Sequence, residues 1–183
     1  MRIIGIDPGN ATTGYGVVDQ GSSLRSVAAG TIRAKGLVRG PRRLGALHAA
    51  VLNVIDSYHP DVMSLERSFV AMNVQSAFAL GEARAVAMLA AAHRGLEVFE
   101  YTPTDVKLSV AGYGRADKSQ VKAMVRRTLA LDATDELRDD AADALAIALC
   151  HLFRAKMPWP GSSRRGRTLA NLMRGVRPSR VSL

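Results

Sequence analysis

A chain of 183 residues that is 48% hydrophobic but only 5% aromatic carries one mainly aliphatic core and is short for two domains. Its net charge of +9 is unevenly placed: eight of its 25 basic residues lie between Arg154 and Leu183 with no acid among them, leaving 17 basic against 16 acidic residues in the body. One cysteine, Cys150, excludes an internal disulfide, and the most apolar run, 85–92, is too short to cross a bilayer.

In chain order, residues 2–7 and 13–19 read as strands joined by the turn Pro8-Gly9, and 24–33 as a third strand after Gly21-Ser22-Ser23. Together they form an antiparallel meander. Gly36 to Gly40 is a loop. Pro41 then opens a helix whose apolar face is Leu44, Leu47, Val51, Leu52, Val54 and Ile55, and it stops before His59-Pro60. Residues 62–66 form a short apolar strand ending in Glu66.

Residues 73–93 read as a long helix, apolar all round over 85–92. Such a helix is buried on more than one side, within the domain or against a partner chain. Gly95 ends it, and 96–101 is the fifth strand. A short helix follows from Thr102-Pro103 to Val110. After the loop Gly112-Tyr113-Gly114 come a basic helix over 117–131 and a last helix over 135–154. This order predicts an α/β three-layer sandwich around a five-stranded mixed sheet, an antiparallel meander plus parallel strands, with helices on both faces.

Composition shifts near Lys156. The expected organisation is a folded domain over 1–156 and a basic tail over 157–183 that is flexible and suited to a polyanion. The N-terminus reads as a strand rather than a secretory leader, so a soluble, cytoplasmic protein with no membrane attachment is expected.

Three acidic features stand at element ends. Asp7 and Glu66 each close an apolar strand, and a carboxylate there is costly unless something compensates it. If those strands are parallel neighbours, both acids lie on the sheet edge where open α/β sheets build their sites. The third feature is Asp139-Asp140-Ala141-Ala142-Asp143. On the last helix Ala142, Leu145, Ala146, Leu149 and Phe153 form one stripe expected to face the sheet, with the aspartates on the arc beside it.

Asp140 and Asp143, three residues apart, can point the same way, and like charges that close repel. Asp139 is an alternative to Asp140. Carboxylates without a Cys/His cluster favour Mg²⁺ or Mn²⁺ over zinc, and two such ions per site suit phosphodiester hydrolysis. Taken singly, each acidic feature also reads as a turn, a surface acid or a solvated helix edge.

Ile6-Asp7-Pro8-Gly9 with Thr13-Gly14-Tyr15-Gly16, Glu66 with Phe69, Lys107 with Gly112-Tyr113-Gly114 and Lys118-Ser119-Gln120-Val121, and Asp140-Ala141-Ala142-Asp143-Ala144-Leu145 together resemble the RuvC family of Holliday-junction resolvases. The resemblance runs from about residue 2 to 154. It implies a ribonuclease H-like fold and a homodimer on a four-way DNA junction. It also implies Mg²⁺-dependent cleavage of two strands of like polarity, leaving 5′-phosphate and 3′-hydroxyl ends, in recombination and repair.

By position the resemblance assigns Asp7, Glu66, Asp140 and Asp143 to metal binding and catalysis. It places Lys107 and Lys118 near the scissile DNA and stacks Phe69 on junction bases, and it implies a branch-migration complex of the RuvA and RuvB type as partner. Arg115, Lys122, Arg126 and Arg127 could extend a phosphate track, though a solvated helix face explains them nearly as well. Phe69 equally suits a loop anchor in the core, and the lysines ordinary surface.

Three rivals stand beside this reading. Ile4-Gly5-Ile6-Asp7 resembles the first phosphate loop of sugar kinases and actin-like ATPases, but no second lobe follows. A non-catalytic junction-binding module would not need the acidic set. A nuclease of the same fold acting on a flap or an RNA–DNA hybrid keeps the chemistry and changes the substrate.

Overall fold

Ile3, Ile4 and Ile6 are all fully buried, which requires cover on both faces of the strand that carries them. The computed structural model describes residues 1–9, 11–33, 40–67, 74–132, 134 and 136–155. It contains β1 (Arg2–Pro8), β2 (Thr13–Gln20), β3 (Leu24–Ile32), α1 (Pro41–Tyr58), β4 (Val62–Glu66), α2 (Val74–His93), β5 (Glu97–Tyr101), α3 (Pro103–Ala111), α4 (Lys118–Thr128) and α5 (Asp139–Ala155). The sheet order is β3-β2-β1-β4-β5. The first three strands pair antiparallel, and β1, β4 and β5 pair parallel. The expected mixed sheet is the one observed.

Strand alternation sorts the side chains into two cores. Ile4, Ile6, Val17, Met63 and Leu65 pack under α1 and α2. Ile3 and Val18 pack on the opposite face with α3, α4 and α5. Gly5, Gly14 and Gly16 are in phase with Ile3 and Val18, and there α5 comes down onto the sheet. A Cβ on Gly5 would stand 2.0 Å from the Ala144 carbonyl oxygen, and one on Gly14 2.0 Å from that of Asp140. A buried hydrogen bond of 3.2 Å from Ser64 Oγ to the Ile147 carbonyl ties β4 to the same helix.

Two helix boundaries differ from expectation. The last helix starts at Asp139 rather than residue 135, because the Ala142 amide donates to the Arg138 carbonyl at 2.9 Å and so closes the first turn. The basic helix stops at Thr128 rather than 131, where Ala130 turns left-handed at φ 49°. The expected single apolar stripe of α5 is also corrected. All residues from Ala141 to Leu152 except Asp143 are buried, because α3 and α4 cover the side away from the sheet, while Phe153 is only half-buried. For α2 the outcome is mixed. Ala83, Val86, Ala87, Ala90 and Ala91 are buried, but Met88 and Leu89 in the apolar run are exposed. Among the described residues no helix is long and apolar enough to cross a membrane.

α3 and α4 begin with reciprocal capping boxes, Thr102 with Asp105 and Asp117 with Gln120. Near the base of α3 lies a buried polar group. His151 Nδ1 and the Tyr101 hydroxyl share a hydrogen bond of 2.7 Å, Phe99 packs on the imidazole, and Cys150, its thiol pushed up to about 11 by burial, contacts Ser109. Burial holds His151 down at about 4, so the fold takes up its proton less readily than the unfolded chain. Stability should be unaffected by this group above about pH 6.5, then fall as the pH drops from there to about 4. His151→Gln should flatten that part of the profile in thermal unfolding measured against pH. An equal slope in both proteins would contradict the assignment.

Candidate active site

Asp7 shares its strand face with Ile3 and Gly5, and Glu66 shares its face with Ser64, so both acids turn toward α5. The parallel register pairs Ile6 with Leu65, which sets Asp7 and Glu66 at the next position of neighbouring strands. α5, pressed on the glycines, brings the first turn of its helix to the same edge. Burial, reinforced by the charges of Glu66, Asp143 and Asp140 and opposed by Lys118, pushes the Asp7 carboxyl up to about 8. At neutral pH an unliganded Asp7 therefore holds a proton, which a divalent cation would displace.

Asp140 and Asp143 are half-buried. Thr12 Oγ1 donates to Asp140 Oδ2 at 2.6 Å, and Lys118 Nζ donates to Asp143 Oδ2 at 3.0 Å. The hydrogen bond and charge of Asp143 raise the affinity of Lys118 for its proton. Asp139 points elsewhere. It is exposed, and Lys122 Nζ donates to its Oδ1 at 2.7 Å, a contact that holds its carboxyl below the usual range. Geometry therefore favours Asp140 over Asp139 as the partner of Asp7.

Among the described residues no three carboxylate, imidazole or thiol groups converge closely enough to form a closed ligand cage. The donor set nonetheless fits a hard divalent cation. It is all oxygen, it crowds like charges around the half-buried Asp7 carboxyl, and the cation now against Asp143 is a lysine with an 80% exposed side chain, free to move away.

The basic residues divide. Lys107, half-buried on α3, lies near Asp117. Ser119 is the main influence holding that carboxyl below its usual range, and Lys107 is a smaller one. Arg115 is exposed in the α3–α4 loop. Lys122 is engaged by Asp139, and Arg126 Nη1 donates to the Asp132 carbonyl at 2.6 Å. Phe69, the 36–39 part of the loop before α1 and the basic tail lie outside the described residues.

Two contacts were missed by the sequence reading. One is Thr12 on Asp140. The other is Arg84, whose Nη1 donates to the Glu66 carbonyl oxygen at 3.2 Å and whose guanidinium pairs with Glu100. The available signal was that Glu82 and Arg84 are the only carboxylate and guanidinium in an alanine-rich helix without lysine or aspartate.

A five-stranded sheet in this order, with carboxylates at the ends of β1 and β4 and on the helix crossing them, defines a ribonuclease H-like protein. The chain belongs to the RuvC family. The family model described as crossover junction endodeoxyribonuclease RuvC matches residues 3–151. The crossover junction endodeoxyribonuclease RuvC of Rubrobacter xylanophilus is 51% identical over 156 residues, covering 85% of this chain and 87% of that protein. Two solved structures agree. Thermus thermophilus RuvC has a TM-score of 0.76, and the same protein in complex with a Holliday junction substrate has 0.79. Each is 35% identical and covers 86% of this chain and 96% of that one.

Proposed function

We propose that this chain resolves four-way (Holliday) DNA junctions by divalent-metal-dependent phosphodiester hydrolysis. The observation that carries the chemistry is the crowding of Glu66, Asp140 and Asp143 around the half-buried Asp7 carboxyl. Membership of a family of crossover junction endodeoxyribonucleases supports the substrate. In this reading Asp7, Glu66, Asp140 and Asp143 hold Mg²⁺, with Mn²⁺ as a substitute, at two ions per site. Bound there, the ions would activate the attacking water and stabilise the leaving oxygen, giving 5′-phosphate and 3′-hydroxyl ends.

The protein's own groups supply position and charge. Thr12 orients Asp140 by occupying one of its oxygens. Lys118 balances Asp143 until DNA arrives, then pairs with a phosphate, and Lys107, Arg115 and Lys122 extend the phosphate contacts. Phe69 stacks on an unpaired junction base, and the basic tail over 157–183 adds salt-sensitive affinity. A branch-migration complex of the RuvA and RuvB type is the proposed partner. The test is a panel of substrates in Mg²⁺ or Mn²⁺. A mobile four-way junction should be cut well ahead of a flap, an RNA–DNA hybrid or linear duplex, and equal cutting of all four would overturn the substrate.

A four-way junction presents two equivalent strands about a two-fold axis, which a symmetric dimer matches. α2 offers a surface for it. Val74 is 70% exposed, Phe78 68% and Leu89 50%, and together with Met88 they form an apolar stripe beside the buried alanines. We therefore place the contact between copies on α2. Phe78→Glu/Leu89→Glu should convert a sedimenting dimer to a folded monomer that no longer makes paired cuts. A double variant that stays dimeric would rule out this face.

A further inference from the structure

We propose that Arg84 is a positioning residue that fixes Glu66 for cation binding by locking the end of β4 to β5 through α2. The inference rests on Glu66 being a cation ligand, as read above.

Glu66 is the last residue of its strand, paired with Tyr101 of β5 at the end of the parallel ladder. A residue there is held by the ladder on one side only, so rotation of its peptide plane would swing its side chain away from Asp7. Two contacts prevent this. The Arg67 amide donates to the Tyr101 carbonyl at 2.8 Å, and Arg84 Nη1 donates to the Glu66 carbonyl at 3.2 Å. The same guanidinium pairs through Nη2 with Glu100 of β5.

Arg84 thus spans the ends of two neighbouring strands from a third element. The planar fork is suited to this, because its nitrogens reach two acceptors in a fixed relation that a single ammonium cannot reproduce. The Arg84 and Glu100 side chains are 20% and 31% exposed, so the pair is shielded from salt and water more than a surface pair is. Its guanidinium contacts the Glu66 main chain and the Glu100 side chain. It acts by limiting where the Glu66 carboxylate can stand.

The test uses the full chain and Mn²⁺ as the probe. Arg84→Ala, Arg84→Lys, Glu100→Gln and, as reference, Glu66→Gln are titrated with Mn²⁺ by calorimetry without DNA. Arg84→Ala should weaken Mn²⁺ binding roughly 10-fold, with Arg84→Lys and Glu100→Gln intermediate at about 3-fold. In junction cleavage kcat should fall while KM holds, and added Mn²⁺ should restore much of the Arg84→Ala rate, which a general loss of structure would not allow.

Unchanged Mn²⁺ affinity in the Arg84 and Glu100 variants, with a loss in Glu66→Gln, would overturn the role of Arg84. If Arg84→Ala does not fold, Arg84→Lys and Glu100→Gln decide alone, and wild-type affinity in both overturns the proposal. Unchanged affinity in Glu66→Gln overturns the ligand reading of Glu66 and this inference with it. Because the titration contains no DNA, a failure of the junction reading leaves its result intact.

Discussion

Asp7→Asn should abolish metal-dependent junction cleavage, by roughly 10³-fold or more, and at the same time make the metal-free protein more stable. The two effects share one cause. Asp7 is half-buried at the end of β1, and Glu66, Asp143 and Asp140 add repulsion that Lys118 only partly offsets. In the folded chain the carboxyl keeps its proton up to about pH 8, whereas the ordinary value is 3.8. The fold therefore binds this proton more tightly than the unfolded chain does, and it loses stability as the pH rises from 3.8 toward about 8. Asparagine has nearly the same shape and no charge to bury. Near pH 8 in EDTA it should gain on the order of 2 kcal/mol, or roughly 4–8 °C in Tm, and at pH 4 the gain should vanish. Junction binding should survive, since the proposed phosphate contacts come from Lys107, Lys118 and Arg115. A variant that still cuts, or one that is less stable than the parent at pH 8, would remove Asp7 from the centre of the site.

Gly14→Ala should be among the most damaging single-methyl changes in the sheet, and the one that bears most directly on the aspartates. The added Cβ would stand 2.0 Å from the Asp140 carbonyl oxygen and 2.6 Å from its carbonyl carbon, both of them backbone atoms of α5. No rotamer change relieves that overlap, so α5 must move off β2. Overpacking of this kind costs about 3 kcal/mol, or roughly 6–12 °C in Tm for a domain of this size. The displaced turn carries Asp140 and stands one turn from Asp143, so cleavage should fall by about 10²-fold even below the new Tm, as misplacement near 1 Å does elsewhere. Gly45→Ala is the control. Its Cβ would meet nothing within 4 Å on α1, and it should stabilise by up to about 1 kcal/mol. Calorimetry and single-turnover cleavage of both variants check the pair. Equal tolerance of both would mean that the close approach of α5 is not what places the aspartates.

These cases show why some features could be read in the chain and others could not. Asp7 and Glu66 were legible because period-two alternation and the end of an apolar run are local properties, and a buried strand ending in a carboxylate calls for compensation. Sheet class followed from the same local patterns. The approach of α5 to Gly14 was not legible. Glycine in a strand signals a bulge, a bend or a close neighbour, and only the fold says which, here a helix 126 residues further along the chain. Thr12 on Asp140 and Arg84 on Glu66 and Glu100 are likewise long-range contacts with no periodic signature.

The choice between Asp139 and Asp140 needed three-dimensional context, because both lie in the first turn of α5. Lys122, on α4, draws one outward while Thr12 holds the other. The α5 stripe misled because alanines bury as readily against α3 and α4 as against the sheet. For α2 periodicity left burial within the domain or against a partner chain open, and the fold shows Met88 and Leu89 uncovered within a single chain.

Junction resolution by this chain can be decided by mapping, at single-nucleotide resolution, the cuts made by the full chain in Mg²⁺ on a four-way junction with each strand labelled in turn. The expected result is one cut in each of two strands of like polarity, at positions related by the junction's two-fold axis, with 5′-phosphate ends that ligase can seal and with no cut when Mg²⁺ is replaced by EDTA. Cuts confined to one strand, ends that ligase cannot seal, or cutting that persists in EDTA would contradict it.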